Sequence, residues 1–379
     1  LNEAWRIVNQ AKIKVIMTKS KPRLLSGDTP TGKLHLGHWV GSIELRVALQ
    51  QCYECYFIIA NVHAFTTRAE FPKEIRQNTF EIAIDYLAAG IDPKQSHIFI
   101  QSEIPAIAEL TCFFSMLLSF PRVMRNPTIK DEIKHKKLGD NYSFGFLLYP
   151  VGQVADILSF RPSLVPVGED QIAHLEMARE CARRFNQIYC GVDPQTKDED
   201  YVTSGGLFPI IEAKLSRVHR LVGTGAPNAN GTLAKMSKSL NNAIYLSDDA
   251  DTIRKKVMAM YTDPRRLRAT DPGTVENNPL WIFHEIFNPD KAWIAEAEDK
   301  YRKGQIKDVD CKHKLVDILV ALTQPMRERR KIYEQDLGEV LKILKHGTER
   351  ANEIAEDTLI KAKAFMKQDY FKRLVKLEP

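Results

Sequence analysis

Two hydrophobic periods alternate along the first half of the chain. Residues 23–27 (Arg-Leu-Leu-Ser-Gly) form a short apolar run ending in glycine, and a helical apolar period follows from the His-Leu-Gly-His segment to about Gln50. A bounded run of this length predicts a buried strand, and the 3.6-residue period behind it predicts a helix. The alternation recurs, with residues 53–61 expected as a strand, residues 72–89 as a helix and Ser96-His97-Ile98-Phe99-Ile100 as a third strand. Leu164-Val165-Pro166-Val167-Gly168 predicts another strand end, followed by a helix over 170–185 whose first-turn acids suit the positive end of its dipole. Strands alternating with helices predict an α/β fold: a doubly wound parallel sheet covered by helices.

Further on the pattern changes. Residues 191–234 are rich in Gly, Pro, Asn, Asp and Thr and predict connecting loop, with a short apolar element near 208–211. From Asp248 the spacing becomes helical and highly charged, with Asp248-Asp249-Ala250-Asp251 as a helix start and Asp263-Pro264 and Asp271-Pro272-Gly273 as breaks. Residues 327–377 set Lys/Arg and Asp/Glu on an apolar period, the mark of amphipathic helices with solvated outer faces. The expected division is an α/β domain over 17–246 and a second, all-helical domain over 247–379 whose last helices can pack back on the first. Residues 1–16 lack the continuous apolar segment and small-residue cleavage site of a secretory signal, and are expected as an extension outside the fold; an amphipathic targeting peptide is the alternative.

Composition narrows the class. A chain of 379 residues, 44% of them hydrophobic, can bury a large core. Its apolar runs, such as 55–60 and 318–322, stop far short of the roughly 18 residues that suggest a membrane span. Six unevenly spaced cysteines point to a reducing, cytoplasmic setting rather than a disulfide framework. Cys52 and Cys55 have metal-ligand spacing and Cys181 with Cys190 could complete a set of four, but Cys55 opens an apolar strand and no histidine accompanies them, so no bound metal is expected. The net charge of +6 permits a polyanionic partner without establishing one.

Two segments carry candidate chemistry. Pro30-Thr31-Gly32-Lys33-Leu34-His35-Leu36-Gly37-His38 lies where a strand ends and a helix begins, so free backbone N–H groups and the helix dipole can face a phosphate. Gly37 permits close approach of adenine or phosphate, and His35 and His38 can donate hydrogen bonds as charge accumulates during in-line attack. Lys235-Met236-Ser237-Lys238-Ser239 sits in a loop where closure over a triphosphate can be driven by charge, with two ammonium groups and two hydroxyls to stabilise departing pyrophosphate. Mg²⁺ would bridge phosphate oxygens with little protein ligation. The pair, in this order, points to adenylation of an amino acid.

These elements resemble the "HIGH" and "KMSKS" signatures of the class I aminoacyl-tRNA synthetases. Further strings narrow the resemblance to the tryptophanyl branch: Ser26-Gly27 with Pro30-Thr31-Gly32, Phe99-Ile100-Gln101-Ser102-Glu103, Tyr149-Pro150-Val151 with Ala155-Asp156-Ile157-Leu158, and Val165-Pro166-Val167-Gly168-Glu169-Asp170-Gln171. The resemblance implies a Rossmann-like catalytic domain, a helical anticodon-binding domain, a homodimer, and L-tryptophan, ATP and tRNA(Trp) as substrates. It assigns Asp156 to the indole N–H, Tyr149 and Gln171 to the substrate ammonium, and His63, Leu25 and Gln153 to the tryptophan pocket. Gly168 and Asp170 fall at the ribose, and Thr29, Gly37, His38, Lys130 and the loop Lys235, Met236, Ser237, Lys238 and Ser239 at ATP, with His35, His38, Lys235 and Lys238 carrying catalysis. Leu25 stands where many bacterial members have an aromatic residue, Thr29 where they have Gln, and Gln153 where some have Met. Because Gln-x-x-Asp is also a spacing of tyrosyl-tRNA synthetases, tyrosine stays open as the substrate. So do a small-molecule nucleotidyltransferase and a non-charging paralogue that binds tryptophan or ATP.

Overall fold

The computed structural model of the protein describes residues 21–135, 142–268 and 270–371; the expected extension over 1–16 lies outside the described residues. Five strands, β1 (Arg23–Asp28), β2 (Glu54–Ile59), β3 (Ser96–Ile100), β4 (Leu164–Val167) and β5 (Glu212–Leu215), stand in the order β3-β2-β1-β4-β5. Every pairing is parallel. β1 and β2 pair from Arg23 with Glu54 to Asp28 with Ile59, but β1 and β4 register only at Leu24 with Leu164. Pro166 has no N–H to offer a neighbouring strand, and Ser26 Oγ donates to its carbonyl at 2.9 Å across the widening gap. The strand order reverses at this gap, the place where a doubly wound sheet opens a cleft.

Alternating β2 residues feed two cores. Cys55, Phe57 and Ile59 enter one with Leu24, Ile82 and Tyr86, while Tyr56 and Ile58 enter the other with Phe99, Phe146 and Phe185. The first core continues into the helical second half through Leu280, Trp281, Tyr301, Leu315 and Leu319, so those helices share a core with the sheet. Helix Ala250–Met258 starts where the acids predict, with Asp249 accepting from the Thr252 N–H. The last helix, Leu337–Phe365, covers the β3 edge, and Asn352 Nδ2 donates to the Glu103 carbonyl at 2.8 Å. Among the described residues no helix is long and apolar enough to cross a membrane.

Two expectations are corrected. Residues 191–234, expected as connecting loop, hold strand β5 just after the apolar element near 208–211, and its Glu212 and Lys214 give an edge strand no apolar signature. The helix expected over 170–185 begins at Ile172, after a 3₁₀ turn over Glu169–Gln171, and runs to Tyr189. Cys55 and Cys181 belong to cores on opposite faces of the sheet.

Candidate active site

A cavity of about 990 Å³ opens beyond the C-terminal ends of β1 and β4, a size that suits a nucleotide and an amino acid together. The His-Leu-Gly-His turn forms one wall. His35 caps the helix that begins at Leu36, its Nδ1 accepting the Gly37 N–H at 3.1 Å, and the His35 N–H donates to His38 Nδ1 at 3.1 Å. A β-carbon at Gly37 would lie 2.9 Å from the His35 ring, so only glycine fits beneath it. With both Nδ1 atoms accepting, each neutral ring carries its proton on Nε2. Burial, aided by the neighbouring His38 and lysines, pulls His35 down to about 2; burial, opposed by Asp28, pulls His38 to about 4. Both rings are therefore neutral N–H donors at physiological pH.

The Lys/Ser loop closes over this turn. Met236 is buried in the same core as Leu34 and Leu36 and fixes the middle of the loop, while the lysines on either side remain in the cavity wall. Lys238 Nζ donates to the Gly32 carbonyl at 2.8 Å and to Thr31 Oγ1 at 3.4 Å, and burial lowers it to about 8 despite the nearby Asp28 and Asp85. Lys235 Nζ lies 3.8 Å from Asp170 Oδ2, and the Ser237 and Ser239 hydroxyls are 2.9 Å apart. Behind the loop, Ile244 and Leu246 exchange backbone hydrogen bonds with Leu36 and Leu34. The loop and the histidine turn are thus one hydrogen-bonded unit.

The remaining wall comes from helix Phe144–Leu158 and the turn after β4. Asp156 is 5% exposed, and both its oxygens accept from Gln101 Nε2, at 2.8 and 2.9 Å. Burial raises this carboxyl to about 7 against the lowering effect of that hydrogen bond. Gln101 Oε1 in turn accepts the Val62 and His63 N–H groups at the start of helix Asn61–Arg68. The His63 and Tyr149 rings lie 4.5 Å apart, and Tyr149 Oη donates to Glu132 at 3.2 Å. Gln153 Nε2 donates to Gln171 Oε1 at 3.0 Å, and Gln171 Nε2 to Asp170 at 3.3 Å.

The cavity lining brings together Leu25, Thr29, His35, Gly37, His38, His63, Tyr149, Gln153, Asp156, Gly168, Asp170, Gln171 and the whole Lys235 to Ser239 loop. Lys130 is the exception. It is exposed on helix Pro127–His135, which faces the cavity through Thr128 and Glu132 instead. Sequence reasoning missed other residues of the site. Asp28 takes Arg46 Nη1 and the Tyr86 hydroxyl on one oxygen, both at 2.7 Å. Gln101 holds Asp156, and its place in a family string was the only signal for it. Asn242 ties the Lys/Ser loop together, accepting the Ser237 N–H at 2.7 Å and donating to the Lys235 carbonyl at 3.2 Å. Among the described residues no group of three His, Cys, Asp or Glu side chains is arranged to hold a metal ion.

Residues 17–324 match the family described as tRNA synthetases class I (W and Y). A tryptophan–tRNA ligase of Streptococcus pyogenes is 45% identical over 359 residues, covering 93% of this chain and 100% of that one. Among solved structures, a tryptophanyl-tRNA synthetase from Campylobacter jejuni complexed with ADP and tryptophan aligns with a TM-score of 0.75 at 29% identity, over 91% of this chain and 99% of that one. A tyrosyl-tRNA synthetase from Archaeoglobus fulgidus complexed with L-tyrosine aligns at 0.61 with 20% identity, over 87% and 99% of the two chains, a likeness of fold alone.

Proposed function

Since the chain belongs to the class I tRNA synthetases of the tryptophan and tyrosine family, and its reaction is ATP-dependent ligation of tryptophan to tRNA, we propose how its cavity performs that reaction. One observation carries the reading: a buried carboxylate suited to an indole N–H lines the same cavity as a neutral histidine pair and a lysine loop suited to a triphosphate. Asp156 accepts the indole N–H, and a side chain without that donor leaves the buried carboxyl with Gln101 as its one hydrogen-bond donor. Tyr149 and Gln171 orient the ammonium, with His63, Leu25 and Gln153 around the ring. This sets the substrate carboxylate toward the α-phosphate of ATP.

The carboxylate is already ionised at neutral pH, so no protein base is needed and catalysis is positioning with charge stabilisation. Its oxygen forms a bond to the α-phosphorus as the bond to the bridging β-oxygen breaks, giving tryptophanyl-adenylate and pyrophosphate. The Nε2–H groups of His35 and His38 donate to the phosphate oxygens, and the ammonium groups of Lys235 and Lys238 stabilise the departing pyrophosphate. Gly168, Asp170, Thr29 and Met236 border the nucleoside. Mg²⁺ arrives on the phosphate oxygens of ATP as part of the substrate. A hydroxyl of the 3′-terminal ribose of tRNA(Trp) then attacks the acyl carbon and releases AMP.

Two wider expectations accompany this reading. Phe65, Met116, Phe120 and Phe144 are exposed on or beside elements packed around helix Phe144–Leu158, an apolar surface that supports a homodimer. All six cysteines are outside disulfides, which suits the cytoplasm. ATP–pyrophosphate exchange measured with tryptophan and with tyrosine tests the substrate assignment. Exchange with tryptophan alone is expected; exchange with tyrosine alone would overturn it.

A further inference from the structure

Adjacent residues of one helix hold both ends of the loop that joins β1 to the histidine turn. On helix Pro72–Ala89, Tyr86 donates to Asp28 at the start of this loop, while Asp85 Oδ2 accepts the Leu34 N–H at its end, at 2.7 Å. Leu34 immediately precedes His35. Asp85 is 1% exposed, and its other oxygen accepts from Arg330 Nη1 at 2.5 Å. Arg330 belongs to helix Asp308–Gln335, is itself 5% exposed, and is held in turn by Glu81 at 2.5 Å and Glu334 at 2.8 Å. Beside it, Arg329 Nε donates to the Ala88 carbonyl at 2.7 Å, fixing the two helices in register. A chain of direct, buried, charge-assisted contacts therefore runs from the helical half of the molecule to the backbone of the histidine turn.

We propose that Asp85 and Arg330 are positioning residues for adenylate formation, which hold the Leu34 backbone, and through it His35 and His38, in register with the α-phosphate from the C-terminal helices. The inference rests on the adenylation reading above. Neither side chain lines the cavity, so neither meets substrate. Their effect is on where the Nε2–H donors stand. A shift of the turn by a fraction of an ångström weakens donors that matter most in the transition state, so the rate of activation falls while tryptophan, bound on the opposite wall, is held as before.

Asp85→Leu keeps the branched shape of the side chain, at a larger volume, and removes the acceptor. Asp85→Asn keeps one oxygen, which Leu34 and Arg330 must compete for, and leaves Arg330 its two glutamates, so this variant keeps the helix contact if the leucine does not fold. Tryptophan-dependent ATP–pyrophosphate exchange is measured for the wild type, both Asp85 variants, Arg330→Met and Asp85→Asn/Arg330→Met, with melting curves to establish folding. The expected kcat falls about tenfold or more in Asp85→Leu, with less than about a twofold change in tryptophan KM. Asp85→Asn falls less, and the double variant is no worse than Asp85→Asn because the amide oxygen is then free for Leu34. Folded variants with wild-type kcat, equal losses in kcat and tryptophan KM, or multiplying effects in the double variant would overturn the relay. A wild type without exchange would instead sink the adenylation reading.

Discussion

At the scale of single residues, protonation decides what each group of the site can do. The histidines are held neutral by burial, with their Nδ1 atoms occupied, so they act as fixed donors and do not shuttle protons. Lys238 is different: burial brings it to about 8, within reach of ordinary assay conditions. As pH rises through that value the free enzyme loses the ammonium, so kcat/KM for ATP should decline on the alkaline side, and Lys238→Ala should remove the limb together with most of the rate. Lys235→Ala should slow adenylate formation by orders of magnitude with tryptophan affinity nearly unchanged; a large loss of tryptophan binding would rule out the lid role. Asp156, raised to about 7, becomes a poorer acceptor as pH falls through that value, so tryptophan KM should rise on acidification in the wild type and stay flat in Asp156→Asn. Asp156→Ala should also blunt discrimination against phenylalanine by about 1–3 kcal/mol. The residues proposed for these roles were legible because their types and order form recognisable strings. Asp28, Arg46 and Gln101 were not, since a buried polar residue looks the same in sequence whether it serves a core or a cavity.

At the scale of elements, the site depends on how loops are tied. The Lys/Ser loop owes its shape to Asn242, which spans it from Lys235 to Ser237, and to Met236 beneath it. Asn242→Ala should lower the exchange rate about tenfold while leaving the melting temperature within a few degrees, because the loop is at the surface of the cavity and the fold's core is untouched. An unchanged rate would mean that the loop closes without this tie. Strands β1 to β4 and helix Pro72–Ala89 could be read from periodicity because each buries a continuous apolar face. β5 could not, since an edge strand of Glu, Ala, Lys and Leu has no such face. The same limit applies to Lys130: alignment of a charged helix fixes its sequence position but not which side of the helix meets the cavity.

At the scale of the whole molecule, one continuous core joins sheet and helices, and its stability is tied to pH. Burial, the leading cause for all four, holds His35 near 2 and His38, His174 and His284 near 4, whereas in the unfolded chain each takes a proton below about 6.5. The unfolded state then binds more protons, so stability falls as pH drops from about 6.5 to 4. Asp85 and Asp156, raised to about 6 and about 7, act the other way and withdraw stability as pH rises above about 4. Four groups oppose two, so the melting temperature should fall between pH 6.5 and 4.5; a flat profile would mean these histidines are not neutral in the fold. The doubly wound order was legible as alternating periods, but the shared core was not, because periodicity shows that a face is buried and not what covers it. The most direct test of the central claim is a crystal structure with a non-hydrolysable tryptophanyl-adenylate analogue. The account predicts the indole nitrogen within hydrogen-bond distance of Asp156 and the phosphate against His38 and the Lys238 loop. An indole seated elsewhere, or a phosphate beyond reach of both, would contradict it.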